Sequence, residues 1–239
     1  MFTKFRLLIL SFSLLLFNCN KEVNISFEDI YISSENSIEI NIPKAKGNQI
    51  IAEAINSEIE TTVARELYIG SADSESPKII DESINLFNEE FNVFKTDFPE
   101  SEQIWEAQID GEVLFQSPEI ISISITSYVN TGGAHGILNI IFLNFESATG
   151  KQISNKNLFT DIENLEEIVK THLNEAIRKK DVVVFEPTDF ELPTSIGYSE
   201  DGVVFLYNTF QIAPYSSGII EFTIPYQEIK PYLIFNSTN

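Results

Sequence analysis

The sequence predicts an α+β fold: antiparallel sheet with helices packed on it, in the order ββαα-βββ-α-ββ-α. Three observations carry this. Runs rich in Ile, Val and Phe alternate apolar with polar residues at period two. Other segments repeat apolar residues every three or four positions. The strand-like runs also come in groups rather than one by one between helices, which is the antiparallel pattern.

Residues 25–42 open the order as a hairpin. Ile25, Phe27, Ile30 and Ile32 form one arm and Ile38, Ile40 and Ile42 the other, with Ser33-Ser34-Glu35-Asn36 as the turn and Pro43 as the stop. Ile51, Ile55, Ile59, Val63 and Leu67 then recur every four residues, an amphipathic helix of about five turns. After a polar loop over 70–77, Ile80, Ile84, Phe87, Phe91 and Phe94 mark a second helix, closed by Pro99. The 104–115 run reads as a strand, with Asp110-Gly111 as a tight turn or a bulge. Ile121, Ile123 and Ile125 alternate with Ser122, Ser124 and Thr126, the pattern of a strand with one wet face. The run 137–145 is apolar on both faces and reads as a central strand, followed by a Thr149-Gly150 turn. Leu165, Ile168, Val169, Leu173, Ala176 and Ile177 make a third helix. Its last turn holds Arg178, Lys179 and Lys180, which suits the negative end of the helix dipole. Strands over 203–210 and 219–224 follow, and Pro225 starts a short terminal helix.

The first eighteen residues stand outside this fold. Lys4 and Arg6 precede an apolar stretch of about eleven residues, the length of a signal-peptide core and too short to span a bilayer. Cys19, the only cysteine, follows directly. Leu16-Phe17-Asn18-Cys19 resembles a bacterial lipobox, at which signal peptidase II cleaves before a cysteine that is lipidated; Phe17 and Asn18 depart from its small residues. The expectation is a lipoprotein signal peptide over 1–18, an acylated Cys19 and a tether over 19–25. Each buried CH₂ of the acyl chains would contribute about 0.8 kcal/mol of anchoring. Ordinary secretion with a leftover cysteine is the plainer alternative. Asn20-Lys21-Glu22 weakly resembles a surface-export signal and reads equally well as a charged tether.

Charge and composition exclude several functions. The 239 residues hold 36 acidic and 15 basic side chains, a formal charge of -21, and losing Lys4 and Arg6 makes it more negative. Wrapping nucleic acid or an anionic membrane surface needs Lys and Arg to neutralise phosphate, so neither is expected. One Cys and two His leave no disulfide framework and no structural zinc site. No phosphate-binding loop, nucleophile elbow or His-Glu-x-x-His motif occurs, and no cofactor or metal is expected. Pairs of carboxylates suited to glycoside hydrolysis carry no signal where 36 acids guarantee them.

The most unusual segment is Asn130-Thr131-Gly132-Gly133-Ala134-His135-Gly136 between two strands. It reads either as a hairpin loop whose glycines satisfy turn geometry or as a binding loop on rigid strands. Thr131, Gly132, Gly133, Ala134 and His135 are therefore candidate ligand-binding residues. Tyr215, in the loop over 214–218, joins them if both loops reach the same end of the sheet. His135 offers a general base for a hydrolase, a donor to a ligand, or neither. His172 sits at the edge of the third helix's apolar face, where packing explains it.

Several spaced motifs also carry a family resemblance. Thr131-Gly132-Gly133-Ala134-His135, Asn144-Phe145-Glu146, Thr149-Gly150-Lys151-Gln152-Ile153 and Asn157-Leu158-Phe159 stand in order. So do Phe205-Leu206-Tyr207-Asn208, Ile212-Ala213-Pro214-Tyr215, Ser217-Gly218 and Ile224-Pro225-Tyr226. The chain resembles the DUF3298 domain family over about 120–235. Ile42-Pro43 and Ile55-Asn56 before a helix resemble its companion DUF4163, the deacetylase PdaC domain, over about 26–115. The expected regions are 26–115 and 116–239, packed as one unit.

The resemblance implies an extracytoplasmic α+β module without known catalysis of its own. Such modules accompany peptidoglycan deacetylase domains and form the outer part of an anti-sigma factor that binds lysozyme. No deacetylase catalytic domain and no sigma-binding segment with a spanning helix stands in these residues. The expectation is therefore a non-catalytic, lipid-anchored module of the bacterial cell envelope. Its partner would be a lysozyme-like basic protein, which acidic charge would steer toward it, or a cell-wall glycan stacked on aromatics such as Trp105, Tyr128 or Tyr215.

Overall fold

The computed structural model describes residues 25–34, 37–70, 76–185 and 190–236. The expected signal peptide, Cys19 and the tether through residue 24 lie outside them, as do the tip of the first hairpin and most of the 70–77 loop.

The α+β class and the element order are as expected. Strands β1 (Ile25–Ser34) and β2 (Ile38–Gly47) pair antiparallel, with Ile30 opposite Ile42 and Ile32 opposite Ile40. Helix α1 (Gln49–Leu67) begins where Asn48 Oδ1 accepts the backbone N–H groups of Ile50 at 3.1 Å and Ile51 at 3.3 Å, satisfying two otherwise orphaned donors. Its stripe Ile51, Ile55, Ile59, Val63 and Leu67 is wholly buried. Two turns in, the Asn56 amide takes the Ala45 N–H at 2.7 Å and gives to the Ala45 carbonyl at 3.0 Å, docking α1 on β2. Helix α2 (Ile80–Asp97) packs on α1 through Ser83, whose hydroxyl donates to the Ala64 carbonyl at 2.8 Å. Its Phe87, Phe91 and Phe94 close around Trp105, with ring centroids 5.4–5.7 Å from the indole.

Strands β3 (Glu106–Gln116), β4 (Ile120–Asn130) and β5 (Ile137–Glu146) complete a five-stranded sheet in the order β1-β2-β3-β4-β5. One pairing is parallel, β2 with β3, because the chain crosses over through both helices before β3 begins beside the start of β2. Asp110-Gly111 is neither turn nor bulge: β3 runs through it, and the irregularity falls between Val113 and Phe115. Gly111 instead permits close packing, since a Cβ there would lie 2.7 Å from Pro43 Cδ.

A second, three-stranded antiparallel sheet holds β6 (Ser195–Tyr198), β7 (Gly202–Tyr207) and β8 (Ile220–Pro225). Strand β6 is an element the pattern did not display, because four residues are too few for a period. Helix α3 (Ile162–Lys180) packs on this sheet, and α4 (Tyr226–Ile229) follows it. Strand β7 is buried throughout because it has a partner on each face. Val203 and Phe205 join the cluster containing Leu165 and Val169 of α3, while Val204 and Leu206 meet Phe142 of β5. The layers are thus α1 and α2, the large sheet, the small sheet, and α3. The buried apolar residues begin at Ile25 and end at Leu233, so a chain starting at Asn20 keeps the whole described core.

Two expectations about β4 and β5 are corrected by this stacking. The serine face of β4 is not wet: Ser122 and Ser124 are buried, and Ser122 Oγ accepts the Tyr198 backbone N–H at 3.0 Å. Small hydroxyls there let β6 approach closely. Strand β5 is an edge strand rather than a central one, and Ile137 and Leu138 at its start are exposed. Its apolar character further along comes from the small sheet. Ser195 Oγ donates to the Ile140 carbonyl at 2.7 Å, and Asn144 Nδ2 donates to the Ile196 carbonyl at 2.8 Å.

Candidate functional site

The 131–136 loop is the β4–β5 hairpin connection, and its glycines have separate reasons. Asn130 Oδ1 accepts the Gly132 N–H at 3.0 Å, and Gly132 takes φ +85°, which disfavours any side chain. Gly136 is buried, and a Cβ there would lie 2.5 Å from the Tyr128 ring. Gly133 has no such requirement, since a Cβ there would meet only the His135 carbonyl oxygen at an ordinary 3.8 Å. Thr131, Gly133, Ala134 and His135 are exposed.

The fold brings Tyr215 to the same place from the other end of the chain. Its hydroxyl donates to the Gly136 carbonyl at 2.8 Å. Its ring meets the His135 imidazole edge-on with centroids 3.7 Å apart. Phe210 completes the group, 5.4 Å from Tyr215 and 61% exposed. It holds φ +68°, a left-handed backbone that a bulky residue rarely adopts, in the turn closed by the Gln211 N–H donating to the Asn208 carbonyl at 3.0 Å.

Beside these loops lies a cleft of about 380 Å³ whose lining includes Glu66, Tyr68, Ser127, His135, Asn139 and Asn208. Glu66 Oε2 accepts both the Ser127 hydroxyl and the Asn139 Nδ2, each at 2.8 Å. Ser127 is on β4, Asn139 on β5 and Glu66 in the last turn of α1, so three elements converge on one half-buried carboxylate. Asn208 stands opposite, clamped to β5: it accepts the Ile140 N–H at 2.8 Å and donates to the Ile140 carbonyl at 2.9 Å.

Glu66 and Asn139 escaped the sequence reading, though each left a trace. Asn139 interrupts an apolar strand, and Glu66 puts a negative charge at a helix C-terminus, where cations are favoured. Their meeting required the tertiary fold.

Among the described residues, His135 has no hydrogen-bond or ion-pair partner, so nothing orients its tautomer for general-base work. His172 is spent elsewhere: its Nε2 lies 3.0 Å from Glu228 Oε2 and its ring stacks on Phe222. No group of three or more His, Cys, Asp or Glu among the described residues is arranged to hold a metal ion. No described helix is long and apolar enough to cross a membrane.

Residues 32–138 match the family described as Deacetylase PdaC, and residues 150–227 match the Protein of unknown function family DUF3298. The two matches follow one another along the chain. The cleft is built across them. Glu66, Ser127 and the glycine loop fall in the PdaC match, while Asn208 and Tyr215 fall in the DUF3298 match. Two solved structures share the fold. A DUF3298 family member from Bacteroides fragilis has a TM-score of 0.67 at 20% identity, covering 90% of this chain and 96% of its own. A DUF3298 family protein from Pseudomonas aeruginosa has a TM-score of 0.54 at 18% identity, covering 90% and 95%. No curated protein matches this chain.

Proposed function

We propose that this chain is a non-catalytic binding lipoprotein of the bacterial cell envelope, held outside the cytoplasm through Cys19. In this reading the loop end recognises a cell-wall-related ligand, in its sharpest form a lysozyme-type muramidase. The observation that carries the proposal is the convergence of the 131–136 loop with Tyr215 over the Glu66 cleft. Exposed Ile137, Leu138 and Phe210 beside it give a protein partner apolar surface to bury. The formal charge of -21 supports steering of a basic partner, and that contribution weakens with salt.

A glycan is the second reading, favoured by the Asn139 and Asn208 amides beside Tyr68 in one cleft. Its other aromatic candidates are weaker, because Trp105 is packed among phenylalanines and Tyr128 lies against Gly136.

Calorimetric titration of residues 20–239 with a basic lysozyme, at low and moderate salt, tests the proposal. A saturable 1:1 complex that survives moderate salt and is lost on replacing the 131–136 loop is the expected result. Heat that vanishes with salt, or no heat, overturns the lysozyme reading and leaves the glycan one.

A further inference from the structure

Glu66 is in an unusual electrostatic position. It sits in the last turn of α1, where the helix dipole already presents negative charge. It is half-buried, so water screens it incompletely. Its two partners, the Ser127 hydroxyl and the Asn139 amide, are neutral and both bind Oε2. Among the described residues no Lys, Arg or His makes an ion pair with it; Arg65, next in the chain, is exposed and unpaired with it. A partly desolvated carboxylate at a helix C-terminus is stabilised by a cation, and this chain supplies none there. What it supplies is an open cleft on which the carboxylate borders.

We infer that the Glu66 cleft is a subsite for one cationic head group, the ammonium or guanidinium of a lysine or arginine side chain presented by a protein partner. Ser127 and Asn139 fix the carboxylate, leaving Oε1 for a charge-assisted bond to the incoming head. The cleft's volume of about 380 Å³ admits a side chain rather than a folded segment. A protein source is favoured over a free amine by the exposed Ile137, Leu138 and Phe210 nearby, which a small cation would leave uncovered. The inference rests on the reading of this end as a protein-binding surface, but its chemistry is tested separately.

The chain from Asn20 is labelled with ¹⁵N and titrated with N-acetylarginine methylamide, then with the citrulline analogue, its neutral isostere. The Asn139 side-chain amide resonances should move saturably with the arginine compound, with a millimolar Kd. Binding should weaken at least roughly tenfold for citrulline and for Glu66→Gln. The glutamine keeps a carbonyl acceptor for Ser127 and Asn139, and the citrulline arm needs no variant. No saturable shift, or equal binding of the two compounds, overturns the subsite. The same variant is then titrated with lysozyme. Arginine binding through Glu66 without lysozyme binding sustains the subsite and sinks the lysozyme reading. Equal lysozyme affinity for wild type and Glu66→Gln does the reverse, sinking the subsite as a partner anchor.

Discussion

Tyr215 is the residue that turns two loops into one surface. Its hydroxyl holds the Gly136 carbonyl, and its ring braces His135. Tyr215→Phe keeps the ring and removes that bond, which should cost about 0.5–1.5 kcal/mol. Amide hydrogen exchange should then speed up over Gly132–Gly136 and stay unchanged in α1; unchanged loop exchange would show that the bond holds nothing. The loop also shows how residue-level reasoning succeeds and fails. Glycines in the loop were legible as glycines with a purpose, but which purpose was not. Gly132 answers to a dihedral angle and Gly136 to a ring from β4, and only the folded structure separates them.

Among the elements, β5 depends most on what its own sequence does not contain. It is an edge, and an unprotected edge invites pairing with another chain. Asn208 covers its middle with two hydrogen bonds to Ile140, imitating a neighbouring strand. Further along, the returning chain pairs with it through Ile153 N–H to the Asn144 carbonyl at 2.7 Å. Asn208→Ala should cost about 1–3 kcal/mol by leaving the Ile140 N–H unpaired, while the carbonyl keeps the Ser195 hydroxyl. Urea unfolding measures the loss, and light scattering should reveal self-association. On the other face, Phe87 is fully buried against Trp105, so Phe87→Ala should cost about 3–5 kcal/mol in the same assay. A loss below about 1 kcal/mol would mean that α2 is not held by that contact.

At the scale of the whole molecule, stability rests on two sheets meeting closely. A Cβ on Gly197 would lie 2.7 Å from Phe142 Cγ, and both residues are buried at the seam. Gly197→Ala should cost about 1–3 kcal/mol of overpacking, read as a lower thermal midpoint. The layered core also makes alkali the weak side. Burial pushes the hydroxyls of Tyr198, Tyr207 and Tyr226 well above the ordinary tyrosine value of 10.0, with nearby Tyr226 and Glu119 adding for Tyr198 and Glu200 for Tyr226. The folded state therefore holds protons that the unfolded chain releases. The stability from these groups is complete below about pH 10 and falls as pH rises above it. Phenolate absorbance for three of the eight tyrosines should appear only with unfolding. Titration of all eight in the folded protein would contradict the burial argument.

By itself the sequence determined what local periodicity and composition determine. The three long amphipathic helices, the first hairpin and the α+β order follow from spacing, because each element's buried stripe is written at its own period. The negative charge follows from counting. Only the tertiary structure decided which surfaces face water and which distant residues meet. The serine face of β4 and the apolar run of β5 look alike whether solvent, a helix or a second sheet covers them; the covering strand β6 comes about fifty residues after β5. The cleft joins Glu66, Asn139 and Asn208 from three separate stretches of chain, and Tyr215 reaches the loop beside it from a fourth. No period or motif spans such separations, because their encounter is fixed by how layers pack rather than by any local preference of the backbone.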